Sequence, residues 1–456
     1  MSRNKYILFG ALVLAIILVL AFGLQVKKLQ TQLRTSVRIV PAEPKSRRNI
    51  SENGVEQDNA SSGRPEVLVK FRTGVSADVI SEITGRFNDR VQDEIEAVPG
   101  LTVIDDPNNA EAPAVAAEYQ ALPEVEYAEP NYEISLDQTS TKQVDGNDPR
   151  FDEQWWLADI SAAQAWSTTT GSGEIVVGVL DSGVEYTHAD LVNNVWTRPA
   201  SLTPYHDRDL GTVDDVRGLN AVANDGDPMD DNGHGTNCAG IIGAECGNNL
   251  GVCGVNWKTK IMPLKFMNAG GFGTVAAAIE AINYAIDRKR AGVNLRVINA
   301  SWGLTQNSRA LEDVIRQAYE AGILFVAASG STNANNDTTP HYPASYNLEN
   351  IISVAAVNKG DALAQFSNYG ARSVNIAAPG QDILTTALGN DYEQRSGTSM
   401  AAPVVAGVAA LVLSAHPGLS VDQLRSLLLE SVDKLPGLRG KVSTEGRINA
   451  ARAVGR

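Results

Sequence analysis

Hydrophobic and polar positions divide the chain into five stretches. Residues 6–24 (YILFGALVLAIILVLAFGL) form an uncharged apolar run behind Arg3 and Lys5. Its length is enough to span a bilayer as a helix and exceeds the usual core of a cleaved signal peptide. Residues 1–26 are therefore expected to be a signal-anchor, with an ordinary signal peptide as the alternative. Lys27, Lys28 and Arg34 beyond the run leave its orientation open. Residues 27–64 are polar, with Pro41 and Pro44, and hold too few apolar side chains to build a core, which predicts a tether. Order begins at 65–137. EVLVKF reads as a strand, SADVISEITGRF as an amphipathic helix, DEIEAVPGLTVI as one or two strands, EAPAVAAEYQAL as a second helix, and EVEYAEPNYEISL as a closing strand. That succession predicts a small α+β, ferredoxin-like domain. A polar linker, 138–147, follows.

From Asp148 to the end, apolar runs alternate with helical patterns. The runs EIVVGVLD, KIMPLKFM, RVINASWG, ILFVAASG, IISVAAVN and VNIAAPG are apolar on both faces, and helices such as TVAAAIEAINYAIDRKRAG and RALEDVIRQAYEAG separate them. Strands of this kind joined by helices predict an α/β domain over 148–456, a parallel sheet covered on both faces. In such sheets ligands sit at the carboxyl ends of the strands.

Charge changes the picture in one respect. The formal net charge is −15, yet residues 1–50 carry nine Lys/Arg against Glu43 alone, so the rest of the chain is strongly acidic. An acidic body excludes nucleic acid as the expected partner. Cys238, Cys246 and Cys253 are too few for a disulfide scaffold and lack the spacing of a zinc site. Cys246 and Cys253 bracket a Gly/Asn loop. A bridge between them and a pair of small buried hydrophobes both remain open.

Three short segments carry chemistry. VVGVLDSG ends a buried strand with Asp181 at its carboxyl edge, DNGHGTNCAG places His234 between glycines at a helix start, and SGTSMAAP places Ser399 at another. Each has an ordinary structural explanation taken singly: a turn former, a cap, an N-cap. Together they supply an acid, a base and a nucleophile in the order Asp, His, Ser. Here the chain resembles the subtilisin-like serine proteases, over residues 148 to about 455. The resemblance implies that Ser399 attacks a peptide carbonyl, His234 moves the proton and Asp181 holds the imidazole, on a buried helix whose positive end favours the oxyanion. An α/β-hydrolase lipase or esterase needs GxSxG with Ser before Asp and His, which this order does not satisfy.

The resemblance implies further residues and one departure. Where the family usually has an oxyanion Asn, this chain has Ser331, with Asn333 and Asn335 as substitutes if the loop is remodelled. A sluggish enzyme or a peptide-binding pseudoprotease are the alternatives that follow. Ser301, Trp302 and Gly303 would form one wall of the first specificity pocket, Ala328 to Gly330 the other, and His341, in HYPASY with a cis bond before Pro343, its floor. Ca²⁺ is implied at a tight site of Asp148, Asp190, Asn248 and the carbonyls of Cys246, Leu250 and Val252. Asp225, Asp227, Asp230 and Asp231 offer a weaker second site or an ordinary acidic turn. Residues 65–137 resemble the inhibitory propeptides of these proteases, with VPGL and YAEPNY as the recognisable pieces, so the chain's own propeptide is an expected partner besides peptide substrates, its tail lying in the groove until cut between Leu136 and Asp148, with the 138–147 linker as the expected maturation site. A permanent adaptor domain is the alternative. The expected location is extracytoplasmic, membrane-anchored or secreted.

Overall fold

A computed structural model describes residues 66–107, 110–135, 139–140 and 150–455. The apolar run at 6–24, the tether, Asp148 and most of the 138–147 linker lie outside the described residues. Residues from Pro65 onward form one compact unit.

The first domain runs β1 (Glu66–Phe71), α1 (Ala77–Phe87), β2 (Arg90–Ile95), β3 (Leu101–Asp105), α2 (Ala112–Gln120) and β4 (Val125–Pro130). Its strands pair antiparallel in the order β2-β3-β1-β4. This is the expected ferredoxin-like succession. Val67, Val69 and Phe71 on one face of β1 pack with Ile83 of α1 and Val115 and Tyr119 of α2. Leu68 on the opposite face joins a different core. Alternation along β1 thus supplies two apolar faces, and the second is covered by the following domain.

The expected single closing strand is two. After β4 the chain turns at Asn131 and Tyr132, and β5 (Glu133–Ser135) leaves the first sheet; β6 (Thr139–Ser140) follows within the linker. Both pair with strands of the second domain. The apolar alternation continues through the turn, so the pattern conceals the change of partner.

In the second domain β7 (Gly171–Asp181), the hairpin strands β8 (Tyr205–Asp207) and β9 (Gly211–Val213), and β10 (Leu219–Asn220) precede α3 (His234–Gly243) and β11 (Lys258–Lys265). Next come β12 (Phe272–Thr274), α4 (Val275–Arg290), β13 (Leu295–Ala300), α5 (Arg309–Glu320), β14 (Leu324–Ala328), β15 (Ile351–Val357) and β16 (Ile376–Pro379). The hairpin β17 (Ile383–Ala387) and β18 (Asp391–Ser396) leads into α6 (Thr398–Ala415), and β19 (Val432–Lys434) and β20 (Gly446–Ile448) close the fold. The main sheet has the order β10-β11-β7-β13-β14-β15-β16-β20-β19. All its pairs are parallel except β19 with β20.

Two cores flank this sheet. One holds α3 and α6 with the inward side chains of β7, β13, β14 and β15. The other holds α4, α5 and the opposite side chains, together with Leu68, Leu101, Val103 and Tyr127 of the first domain. Helix α6 is long and apolar enough to cross a membrane, but 89% of it is buried inside the protein. Being apolar all round, it serves as a central post. Gly407 lets it approach the loop after α3, since a Cβ there would sit 2.8 Å from Val255. Asn256 donates to the Gly407 carbonyl at 2.9 Å across the same contact.

Candidate active site

Strand β7 carries Asp181 to its carboxyl end, where the residue is wholly buried. Its Oδ1 accepts the Ser182 N–H at 2.8 Å and lies 2.8 Å from His234 Nδ1. With Nδ1–H given to the carboxylate, Nε2 holds the imidazole lone pair. That second nitrogen is buried and makes no hydrogen bond, which leaves it able to take a proton. Resting catalytic hydrogen bonds are often long and tighten with substrate.

His234 is the first residue of α3, behind Gly233 at φ +104°, a left-handed turn that glycine adopts without strain. Asp230 fixes this helix start. It accepts from the backbone of Asn232, Gly233 and Thr236, from the Thr236 hydroxyl, and from Ser182 beside Asp181. Asp230, weighed as a cation ligand, is thereby engaged as a helix cap, and Asp231 is paired with Lys265 at 2.7 Å.

Ser399 lies in the first turn of α6, 2% exposed. Its carbonyl accepts the Ser301 hydroxyl at 2.7 Å. The Cys238 thiol, one turn into α3, lies 3.6 Å from that carbonyl and 3.8 Å from Asp181 Oδ2. One buried side chain therefore touches both the acid's and the hydroxyl's residues, so the three segments converge. Burial, then the Asp181 carboxylate, pushes this thiol well above its ordinary pKa, so it is an uncharged filler. Cys238 was not singled out by the sequence; its position one turn after His234 is the signal that could have found it.

Around the start of α6 the donors are hydroxyls and backbone. The Thr398 N–H donates to Ser331 Oγ at 3.1 Å, the two hydroxyls lie 3.2 Å apart, and the Gly330 N–H donates to the Thr398 hydroxyl at 3.1 Å. Ser331 thus stands beside the residue preceding Ser399. Asn335 is turned to its own loop, its Oδ1 accepting from the Asp337 N–H, and Asn333 gives its N–H to the Phe366 carbonyl.

The expected pocket residues come together. Trp302 is buried and donates to the Leu180 carbonyl at 2.9 Å. Gly303 and Gly330 both face His341: a Cβ at Gly303 would sit 2.1 Å from its Nε2, and one at Gly330 3.1 Å from its Cδ2. Ala328 ends β14 just before this loop. His341 is buried between the two glycines, and the Tyr342–Pro343 bond is cis as expected.

Two strands of the first domain's tail pair with strands of the second domain. Glu133, Ile134 and Ser135 pair antiparallel with Thr274, Gly273 and Phe272 of β12, while Thr139 and Ser140 pair with Ser396 and Arg395 of β18. Ser396 is three positions from Ser399. The β12 edge was not anticipated, although the glycines of NAGGFGT mark a place where another backbone approaches closely.

Asp190 and the 246–253 loop form a closed corner. Asp190 accepts from Asn248 Nδ2 at 2.7 Å and from the Val252 N–H at 2.9 Å, and the Leu250 N–H donates to Asn248 Oδ1 at 2.8 Å. A Cys246–Cys253 disulfide ties the loop's ends, which settles the two open readings of these cysteines. A buried carboxylate, a side-chain amide and loop carbonyls are an all-oxygen donor set of the kind a hard cation takes. Asp225 and Asp227 share one surface turn; Asp225 accepts from the Asp227 N–H, and Asp227 from the Met229 N–H and the Tyr186 hydroxyl.

Comparison with known proteins bears on both domains. The model of the Subtilase family matches residues 172–449, and that of the Fervidolysin N-terminal prodomain matches residues 56–131. A thermophilic serine proteinase of Bacillus sp. (strain AK1) is 36% identical over 417 residues, covering 90% of this chain and 92% of that protein. Thermitase of Thermoactinomyces vulgaris is 37% identical, covering 68% of this chain and 98% of the relative. Subtilisin-like protease 1 of Plasmodium berghei (strain Anka) is 32% identical, covering 72% and 58%.

Proposed function

The chain belongs to the subtilase family and is a subtilisin-like serine protease with an N-terminal prodomain; from that premise we propose that Ser399, His234 and Asp181 carry the hydrolysis. The Ser399 hydroxyl attacks the peptide carbonyl while His234 Nε2 takes its proton, and the same proton then passes to the leaving amine. Asp181 holds the imidazole tautomer and stabilises the imidazolium. Water repeats the sequence on the acyl-enzyme. The observation that supports this most directly is the 2.8 Å contact of His234 Nδ1 with the buried Asp181 carboxylate. Oxyanion charge falls to the Ser399 N–H at the positive end of α6, with the Ser331 hydroxyl as second donor. The peptide-binding reading without catalysis finds no support in the comparisons. Labelling of the mature protein by a fluorophosphonate, lost in Ser399→Ala, tests the assignment.

The prodomain inhibits by occupying the groove. Its tail pairs first with β12 and then with β18, the strand that leads to Ser399, and on this reading the bond cut in maturation lies between Ser135 and Thr139. Intact-mass measurement of the expressed chain should give a new terminus in that interval, and Ser399→Ala should leave the chain whole. A cut elsewhere in the wild-type chain refutes the placement.

His341 at the pocket floor disfavours basic side chains and accepts apolar or acidic ones, and a cleavage profile dominated by Arg and Lys contradicts this. Asp190, Asn248 and the carbonyls of Cys246, Leu250 and Val252 fit Ca²⁺, which would brace the corner beside α3; Asp148 completes this set in the family pattern. Asp225 and Asp227 are the second, weaker set. Chelation by EDTA lowers the melting temperature if either holds. The protease works outside the cytoplasm, tethered or released by its N-terminal segment.

A further inference from the structure

A second group of carboxylates lies where the prodomain rests on the catalytic domain. Asp93 in β2 and Glu96 just after it come from the prodomain, Asp207 and Asp209 from the β8–β9 hairpin, and Glu280 from α4. Oxygens of Glu96, Asp207 and Glu280 lie within 4.8 Å of one another, and so do those of Asp93, Asp207 and Asp209. Asp207 is common to both sets. Arg208, the cation of the hairpin, is paired with Glu94.

Glu280 supplies the independent observation. It is 6% exposed; its Oε1 is approached by the Tyr205 hydroxyl at 3.4 Å, and its buried Oε2 has no hydrogen-bond donor. Glu96 and Asp207 are partly held: Asn283 donates to Glu96 Oε2 at 2.8 Å, and the N–H groups of Asp209 and Leu210 donate to Asp207 Oδ1. Neither arrangement reaches Glu280 Oε2. An uncompensated carboxylate oxygen facing further carboxylates away from water is costly unless a cation joins them.

We propose that a calcium ion binds between Glu96 of the prodomain and Asp207 and Glu280 of the catalytic domain, and staples the two together. All the available ligands are hard oxygens. Calcium takes six to eight such oxygens in flexible geometry, whereas Mg²⁺ demands a near-ideal octahedron and usually keeps several waters. Asp93 and Asp209 form an adjoining group around the same Asp207. The site is distinct from the Asp190 corner, and it lies in the contact between the domains. Calcium then favours the inhibited state, and its loss loosens the prodomain.

The test uses the full chain with Ser399→Ala, so that the prodomain stays attached. Calcium chloride is titrated at neutral pH into EDTA-stripped protein, and bound ions are counted by equilibrium dialysis. The Ser399→Ala chain should hold one ion more than the same chain with Glu280→Gln, and calcium should raise the melting temperature of the first by more than that of the second. Glu96→Gln, at a half-buried position, repeats the comparison from the prodomain side should Glu280→Gln fail to fold. Equal stoichiometry in folded parent and variants overturns the proposal. So does proton uptake without calcium uptake on docking, which would mean that shared protons hold the cluster. Neither result depends on whether Ser399 is the nucleophile.

Discussion

Glu129 offers the sharpest test of how the prodomain is held. It is the penultimate residue of β4, is buried against the start of α5, and takes three donors there: the Ser308 hydroxyl, the Arg309 N–H at 2.9 Å and the Ala310 N–H at 3.2 Å. These amides belong to the group at a helix start that no carbonyl of the helix can satisfy. Burial is the largest influence on this carboxyl and raises its pKa against the donors, which lower it. The negative charge is thus no net gain on docking. What matters is that the acceptor is there.

Two substitutions separate these effects. Glu129→Ala leaves the Arg309 and Ala310 amides without an acceptor, at about 1.5 kcal/mol each within the usual range of about 1–3 for a buried donor. The sum of about 3 kcal/mol corresponds to on the order of 100-fold weaker prodomain binding. Glu129→Gln keeps one carbonyl oxygen and should cost about 1 kcal/mol, roughly fivefold. Interface changes act mostly on dissociation, so the assay is the rate at which processed, still-inhibited protein gains activity on a fluorogenic peptide after dilution. Release about 100-fold faster in Glu129→Ala, with only a small change in Glu129→Gln, is the expected outcome. Equal effects of Ala and Gln would show that charge carries the contact, and less than about fivefold for Ala would refute the capping argument.

The same carboxyl gives a pH sign. Its docked pKa lies above the ordinary 4.5, so its share of the docking energy is full in acid and is lost as pH rises through the docked value; Glu129→Gln should remove that part of the pH dependence of release. Ser331→Asn places a longer amide donor beside Thr398, and kcat should rise about tenfold or more with KM little changed; a fall in kcat would mean the Ser331 hydroxyl is already the better donor. Replacing Cys246 and Cys253 together by Ser opens a short loop whose ends are 7 residues apart. The chain-entropy estimate is about 2.5 kcal/mol, or about 4 °C in melting temperature for a domain of about 300 residues, measured by calorimetry.

Legibility in the sequence followed the range of the interactions. The strands of the parallel sheet and helix α6 could be read because each buries apolar side chains on every face, and the pattern records that locally. The segments that bring Asp181, His234 and Ser399 together could be read because glycines and helix starts fix each one within a few residues. Asp230 could not be told apart from Asp225 and Asp227, since an N-cap and a cation ligand are the same residue type in the same acidic turn. Its further bond to Ser182 reaches 48 positions away, beyond what the local pattern records. Glu129 lies in YAEPNY, which marks the segment but not the role: its partner Ser308 is 179 positions distant. The turn at Asn131 was missed because alternation persists while the pairing strand changes from β1 to β12.

That change of pairing strand determines how maturation proceeds. Strand β5 is held by β12 and β6 by β18, and β18 leads directly into α6. The susceptible bond is therefore part of the same folded unit as Ser399, and its effective concentration does not depend on how much protein is present. Processing should be first order, with one half-time over a 100-fold dilution range followed by gel densitometry of freshly refolded chain. Addition of mature enzyme to the Ser399→Ala chain should cut it far more slowly, because the only groove that β5 and β6 can reach without undocking is their own. A half-time that lengthens in proportion to dilution would mean that one molecule cuts another, and the two strand pairings would then describe only the inhibited product.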